Sequence, residues 1–332
     1  MAENYSGKQY TVTLGTQDSS DQAIGTATVD NLANHVFRVQ TPVNDISWDG
    51  GFQTADIRRT GRRMMTAEDR FQHYGSGTWT WDFDYLVDNQ VVAQTLLQAI
   101  GNGQAATASM TFNETNLAPA QLYSHGNTTG ADVACNIIIN NPDADEDRVM
   151  HSAILQNLGL SMDIGVDAGR LHMTGQFMTG YKPVIGTDST SPATTNVDWT
   201  NGIFDLTTMT IGGHAVTLKS FNLNLENPAS RVGFQGTSGE TDGYTRGGDV
   251  NVTGSAVIKV DATSVTFLDD WIANTNTAIT MESGTSWSIA LAAAKITGHS
   301  NDWADDGAFV EIPFVGTTGA NGGSDLCVIK IT

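Results

Sequence analysis

The densest chemistry in this sequence is a run of arginines, Arg58, Arg59, Arg62 and Arg63, in a chain whose formal net charge is −20. A guanidinium pairs bidentately with a carboxylate, which fixes orientation as well as attraction. Three readings compete: a solvated loop, a nucleic-acid contact, and a dock for an acidic protein surface. A grip on a nucleic acid backbone needs a broad basic field, and one short cluster does not supply it. The third reading fits best, because the chain itself offers the acidic surface. A protein carrying both halves of such a contact polymerises head to tail. A second glycine-rich excursion, Pro228 to Gly247, carries Arg231 and Arg246 and joins the same expectation of contact between copies.

Other candidates are weaker. Asp143, Asp145 and Asp147 match the first three ligand positions of a calcium loop. However, Arg148 stands where the sharp turn needs glycine, and Ile154 where the bidentate glutamate belongs. The turn from Asp302 to Gly307 is equally incomplete, so no metal and no cofactor is expected. The seven histidines are scattered without ligand spacing. Phosphate-binding glycine loops, nucleophile elbows and zinc-protease motifs are absent, and no acid–base pair or nucleophile stands out, so an enzyme is not expected. Cys135 and Cys327 sit in apolar runs and read as buried free thiols rather than a disulfide.

The bulk composition agrees with a folded protein: 39% hydrophobic and 16% charged residues in a chain of 332, enough for two domains of ordinary size. Glycine is frequent, at 35 residues, and proline sparse, at 7, which suits antiparallel strands joined by glycine turns. The acidic excess either confers solubility or forms a wall that repels phosphate and lets DNA slide past without sticking. No stretch approaches the roughly 18 consecutive apolar residues of a membrane helix. The first residues lack the basic and apolar regions of a signal peptide, so synthesis in a cytoplasm is expected.

The elements that would position these residues come twice. Gly77 opens an alternating strand, Trp79 to Val87; Asp88–Asn89 then cap an amphipathic helix, Val91 to Ile100, and a strand, Ala105 to Phe112, follows. In the second half Val250 to Val260 reads as a strand and Thr263–Ser264 cap a helix, Val265 to Ala273. Another strand follows, from Thr277 to Met281 or from Ser286 to Ala292. The copies lie roughly 175 positions apart, too far for a solenoid period, so they read as a duplicated domain. Val92, Leu96 and Ile100 mark the packing face of the first helix, and Val265, Leu268 and Ile272 that of the second. Helices this short need a sheet to pack on.

Ile154 to Ile164 and Leu171 to Phe177 alternate about a Val166–Gly169 turn and form a hairpin. Phe221, Leu223 and Leu225 alternate with Asn222, Asn224 and Glu226. The Ser-, Thr- and Pro-rich stretch 182–201 is the linker candidate. The expected fold is mainly β: a duplicated antiparallel sheet or sandwich with one short flanking helix per copy. Its divisions are an arm at 1–35, a first domain at 36–181, the linker, and a second domain at 202–332.

On these residues the chain resembles the tail tube proteins of long-tailed bacterial and archaeal viruses. The resemblance is carried by Ser220 to Asn227 and by Gly247 to Val260 leading into the second helix. In the first half it is carried by Asp45 to Thr54, the arginine loop, Gly77 to Leu86 and the first helix. Leu158 to Asp163 with Leu171 to Gly180 is similar to that family's closing hairpin. The resemblance covers most of 40–330 and rests on element order rather than an invariant signature. It implies rings whose inner strands form a continuous β-barrel, stacked into a tube that carries DNA at ejection. It also implies that three two-domain chains could stand in for six single-domain subunits, so that the rings are homotrimeric or homohexameric, in a virion component with other tail proteins as partners. The competing reading is a carbohydrate- or receptor-binding β-sandwich, with Trp79, Trp81, Trp199 or Trp303 as an aromatic platform.

Overall fold

The computed structural model describes residues 10–16, 35–36, 46–47, 52–56, 60–61, 63–74, 77–101, 109–114, 116–117, 122–124, 134–140, 147–185, 208–235, 239–284, 287–304, 307–318 and 325–331. The first half contains β1 (Thr11–Thr16), β2 (His35–Val36), β3 (Phe52–Asp56), β4 (Arg70–Tyr74) and β5 (Trp79–Leu86). These are followed by α1 (Gln90–Ile100), β6 (Ser109–Phe112), β7 (Leu122–Ser124), β8 (Cys135–Asn140), β9 (Arg148–Asp163), β10 (His172–Thr179) and β11 (Val184–Ile185). The second half contains β12 (Thr208–Ile211), β13 (His214–Val216), β14 (Leu218–Glu226), β15 (Ser230–Val232), β16 (Gly243–Thr245) and β17 (Asn251–Lys259). After these come α2 (Ser264–Ala273), β18 (Asn276–Ser283), β19 (Trp287–Ile296), β20 (Ser300–Ala304), β21 (Gly307–Gly316) and β22 (Cys327–Ile331). The chain is mainly β, and every strand pairing among the described residues is antiparallel.

The pairings make the duplication explicit. β1 and β2 pair beside β8, as β12 and β13 pair beside β18. A strand bridge at Ser47 flanks β5, as β14 flanks β17. β5 and β17 each lead into a helix and each pair on the other side with a later strand, β10 and β21. β9 bends at Ser152, whose φ is +50°, and does alone what β19 and β20 do in succession. Its first part pairs with β8 and its second with β10. β11 lies on the start of β9, as β22 lies on the start of β19. The strand after α1 is therefore not the counterpart of the strand after α2. β6 is an addition, which pairs with β22 of the other half.

One sheet crosses both halves in the order β5, β10, β9, β14, β17, β21. Strand side chains alternate between faces, and one face is apolar throughout. Trp81, Phe83, Phe177, Met173, Leu158, Leu160, Leu223, Leu225, Ile312 and Phe314 are all buried there. Two glycines let aromatic rings lie across the strands. A Cβ on Gly175 would stand 2.8 Å from the Phe83 ring, and one on Gly254 2.6 Å from the Phe314 ring. The two sites answer one another in the two halves, and Phe177 and Phe221 pack on those rings at 5.6 and 6.1 Å.

β1, inside the expected arm, runs along the whole of β8. β11, inside the expected linker, pairs with β9, and 186–200 lie outside the described residues. Cys135 and Cys327 are buried free thiols, and burial pushes the Cys327 thiol up. Among the described residues no helix is long and apolar enough to cross a membrane.

Candidate functional site

The outward face of the six-stranded sheet is polar from β5 to β17, and on β21 it turns to Phe309, Pro313 and Val315 beside Glu311. In one row the cross-strand neighbours are Asp84, Thr174, Gly159, Asn224 and Thr253; in the next they are Asp82, Gln176, Asn157, Glu226 and Asn251. Side chains tie the rows laterally. Gln176 Nε2 donates to Asp82 Oδ1 at 2.8 Å, and Asn222 Nδ2 donates to Ser255 Oγ at 2.8 Å. His172 lies between Asp84, at 3.4 Å, and Asp167, at 3.0 Å. The carboxylates on this side, Asp82, Asp84, Asp163, Glu226 and Glu311, outnumber its lysines, Lys219 and Lys259. The surface is anionic, and a cleft of about 350 Å³ opens on it between Ser161, Asp163, His172, Ser220 and Asn222. The surface crosses the β9–β14 seam without a break.

That seam is reinforced by a clasp, the segment Asn227 to Arg246, which leaves β14 and folds back over the first half. Its strand β16 pairs with β7. Tyr244 is buried among Ala134, Ile154, Met178 and Tyr181, and its hydroxyl accepts from Gly180 N at 2.8 Å. Arg246 is 5% exposed and donates to Ala99 O at 3.0 Å, to Leu155 O at 2.9 Å and to Asn227 O. Asn227 Nδ2 donates to Ile100 O at 2.8 Å. The last carbonyls of α1 thus receive a cation and an amide from the opposite half. This satisfies acceptors that a helix end leaves open and complements its dipole.

The six arginines expected at contacts between copies therefore do not form one group. Arg58, Arg59 and Arg62 lie outside the described residues, and Arg63 is exposed on the loop between β3 and β4. Arg231 is half-buried in the clasp, donating to Gly77 O at 2.5 Å and Gly239 O at 3.3 Å, with Phe234 5.3 Å from its guanidinium. Arg246 works inside the chain. Sequence reasoning did not single out Asn227, Tyr244 or the Asp82–Asp84 face. Only the alternation in Trp79–Thr80–Trp81–Asp82–Phe83–Asp84 signalled the last of these.

Asp143 and Asp145 lie outside the described residues, and Asp147 is buried. Among the described residues no three His, Cys, Asp or Glu side chains gather as metal ligands. Asp302 to Ala304 form part of β20 rather than a loop. Trp79 and Trp81 are each 1% exposed, so they belong to the core and not to an aromatic platform; Trp199 lies outside the described residues. A groove lined by Asn113, Glu114, Asp249, Asn251, Thr317 and Thr318 offers hydrogen-bonding groups.

The two helices differ sharply. The expected face of α1 is buried at Val92, Leu96 and Ile100. In α2 the expected face is mostly turned out: Val265 is 59% exposed and Ile272 72%, Leu268 is half-buried, and the helix is seated by the buried Phe267. A β scaffold whose two halves repeat one order of elements, with a long polar sheet face and an open apolar helix, is the equipment of an assembling subunit. No curated protein sequence matches the chain. The profile of the phage tail tube proteins matches residues 51–325, most of the sequence, and the chain belongs to that structural family.

Proposed function

We propose that this protein builds the phage tail tube as rings of three chains, each chain supplying two tube-like units, 36–181 and 202–332, joined through 182–201. The arm, 1–35, contributes β1 to the first unit. The polar face of the six-stranded sheet lines the lumen. The observation that carries this reading is the β9–β14 seam. It joins the two units edge to edge in one sheet, which is the lateral joint a ring of such units requires, and an open sheet edge invites another strand.

On this reading the lumen wall is anionic. Like charge along a wall repels the phosphate backbone and keeps DNA from sticking as it passes at ejection. No residue does covalent chemistry; partners are other copies of the chain and other tail proteins, and assembly takes place in the host before incorporation into the virion. Arg58, Arg59, Arg62 and Arg63, with Arg231 where it is partly exposed, face acidic surface of another copy. Arg246 is excluded from that role by its buried bonds.

Negative-stain electron microscopy of the purified protein, with its mass in solution, tests the reading. Hollow rings or tubes with three chains per ring are expected. Particles without a lumen at high concentration, across a range of salt and with tail initiator added, overturn it.

A further inference from the structure

The chain contains a worked example of how one unit covers the helix of the next. α1 of the first unit is covered by the second. The clasp from Asn227 to Arg246 lies across its C-terminal end, and Gln94 Nε2 donates to Ile331 O of β22 at 2.9 Å. α2 occupies the matching place in the second unit, and among the described residues no clasp lies across its end. Its last turn and flank expose Val265, Trp271 and Ile272 at 59%, 41% and 72%. Beside it, β20 pairs only with β21 among the described residues, whereas its counterpart, the second part of β9, has both edges paired.

The covering piece also has a counterpart. The clasp lies between β14 and β17. The matching interval of the first unit, between Ser47 and β5, holds the β3–β4 hairpin. β15 and β16 lie in one sheet with β7 of the other unit, but β3 and β4 form a two-stranded sheet of their own. The hairpin's loop displays Met64 and Met65, 84% and 45% exposed, next to exposed Arg63. Methionine adapts to irregular apolar surface. The helix it would meet offers Trp271 and Ile272 alongside Asp269 and Asp270, so apolar faces apolar and cation faces carboxylate. The C-cap carbonyl of α2, Asn274 O, already accepts from Lys295, so the second copy is drawn by the carboxylates of Asp269 and Asp270 and by the apolar face rather than by the helix dipole.

We propose that the exposed face of α2 is the seat for the β3–β4 hairpin of a second copy of this chain, held in the manner in which the Asn227–Arg246 clasp holds α1. In the same contact the open edge of β20 takes the strand at Ser47 of that copy, as β9 takes β14. This inference rests on the ring reading and assigns the side-by-side joint within a ring to these residues.

Two measurements test it. A photo-crosslinking p-benzoylphenylalanine placed at Ile272 should, on irradiation of assembled protein, join one copy to residues 52–74 of another, identified by peptide mass. Ile272→Asp should leave the melting temperature of the single chain unchanged, since the site is exposed. It should also raise the concentration needed for ring formation at least tenfold. Rings that form with cross-links elsewhere, or as readily with Ile272→Asp as without it, overturn this inference and leave the tube reading standing. Absence of both rings and intermolecular cross-links overturns the two together.

Discussion

α1 and α2 are the same element met in two situations. Each follows a strand of the shared sheet, and the two differ in length by one residue. Burial separates them. Val92, Ala93, Leu96, Leu97, Ala99 and Ile100 are buried in α1, while in α2 only Ser264 and Phe267 are. The difference lies less in the helices than in their neighbours. α1 has the clasp of the other half over its C-terminal end, whereas at the end of α2 Lys295 of the same half donates to Asn274 O. An apolar helical face is thus a record of a neighbour, whether that neighbour shares the chain or not.

The largest expected effect that sharpens this comparison is at the centre of the buried helix. Leu96→Ala removes a fully buried side chain and should destabilise the single chain by about 3 kcal/mol, within the usual span for core leucines, read from the urea midpoint. Ile272→Ala, at an apolar position of the other helix, should change that midpoint by less than about 0.5 kcal/mol. Equal losses at the two sites would mean that α2 is packed in solution after all.

The next effect concerns the clasp. Arg246→Ala leaves Ala99 O, Leu155 O and Asn227 O without their donor and should cost about 2–3 kcal/mol, because stranded buried acceptors carry their full desolvation penalty. Replacing Arg58, Arg59, Arg62 and Arg63 together with alanine should leave the melting curve in place and weaken only assembly, seen as a lower filament yield in electron micrographs. A quadruple variant that assembles normally would break the parallel between the two arginine-bearing segments.

The smallest effect is a pH dependence beneath the clasp. The ring of His151 stacks on Tyr181 at 5.6 Å, with Nε2 3.2 Å from Lys182 O and Nδ1 buried without a partner. Burial pushes its pKa below the ordinary 6.5. Above 6.5 neither the folded nor the unfolded chain holds the proton. As the pH falls below 6.5 the unfolded chain takes it up and the folded one resists, so stability declines until the folded pKa is reached. The slope contributed is at most about 1.4 kcal/mol per pH unit, and His151→Gln should flatten that part of the stability–pH curve. An unchanged curve would mean that the site is open to water.

Much of this was legible in the chain. The β9–β10 hairpin follows from alternation about Val166–Gly169, and α1 follows from its cap and its i, i+4, i+8 stripe, because both depend on neighbours close in sequence. The seating of α2 was not legible. Val265, Leu268 and Ile272 form as good a stripe as that of α1, but periodicity reports that a face is apolar, not who covers it. The pairing of β9 with β14 and the closure of Arg246 on α1 depend on contacts far apart in the sequence, and no local pattern encodes them. The arginines of the two excursions looked alike because composition does not distinguish a guanidinium that faces a carboxylate in another molecule from one that caps carbonyls in its own.

The β9–β14 register has a consequence for assembly kinetics. A joint between separate subunits forms at a rate set by their concentration. A joint between two halves of one chain forms at the effective concentration that the connecting segment imposes, whatever the concentration of the protein in solution. Every molecule therefore reaches a growing tube with that joint already made and its register already fixed. If the tube is built of rings as proposed, fewer encounters are needed to close one, and fewer partial rings exist in which an edge can stray.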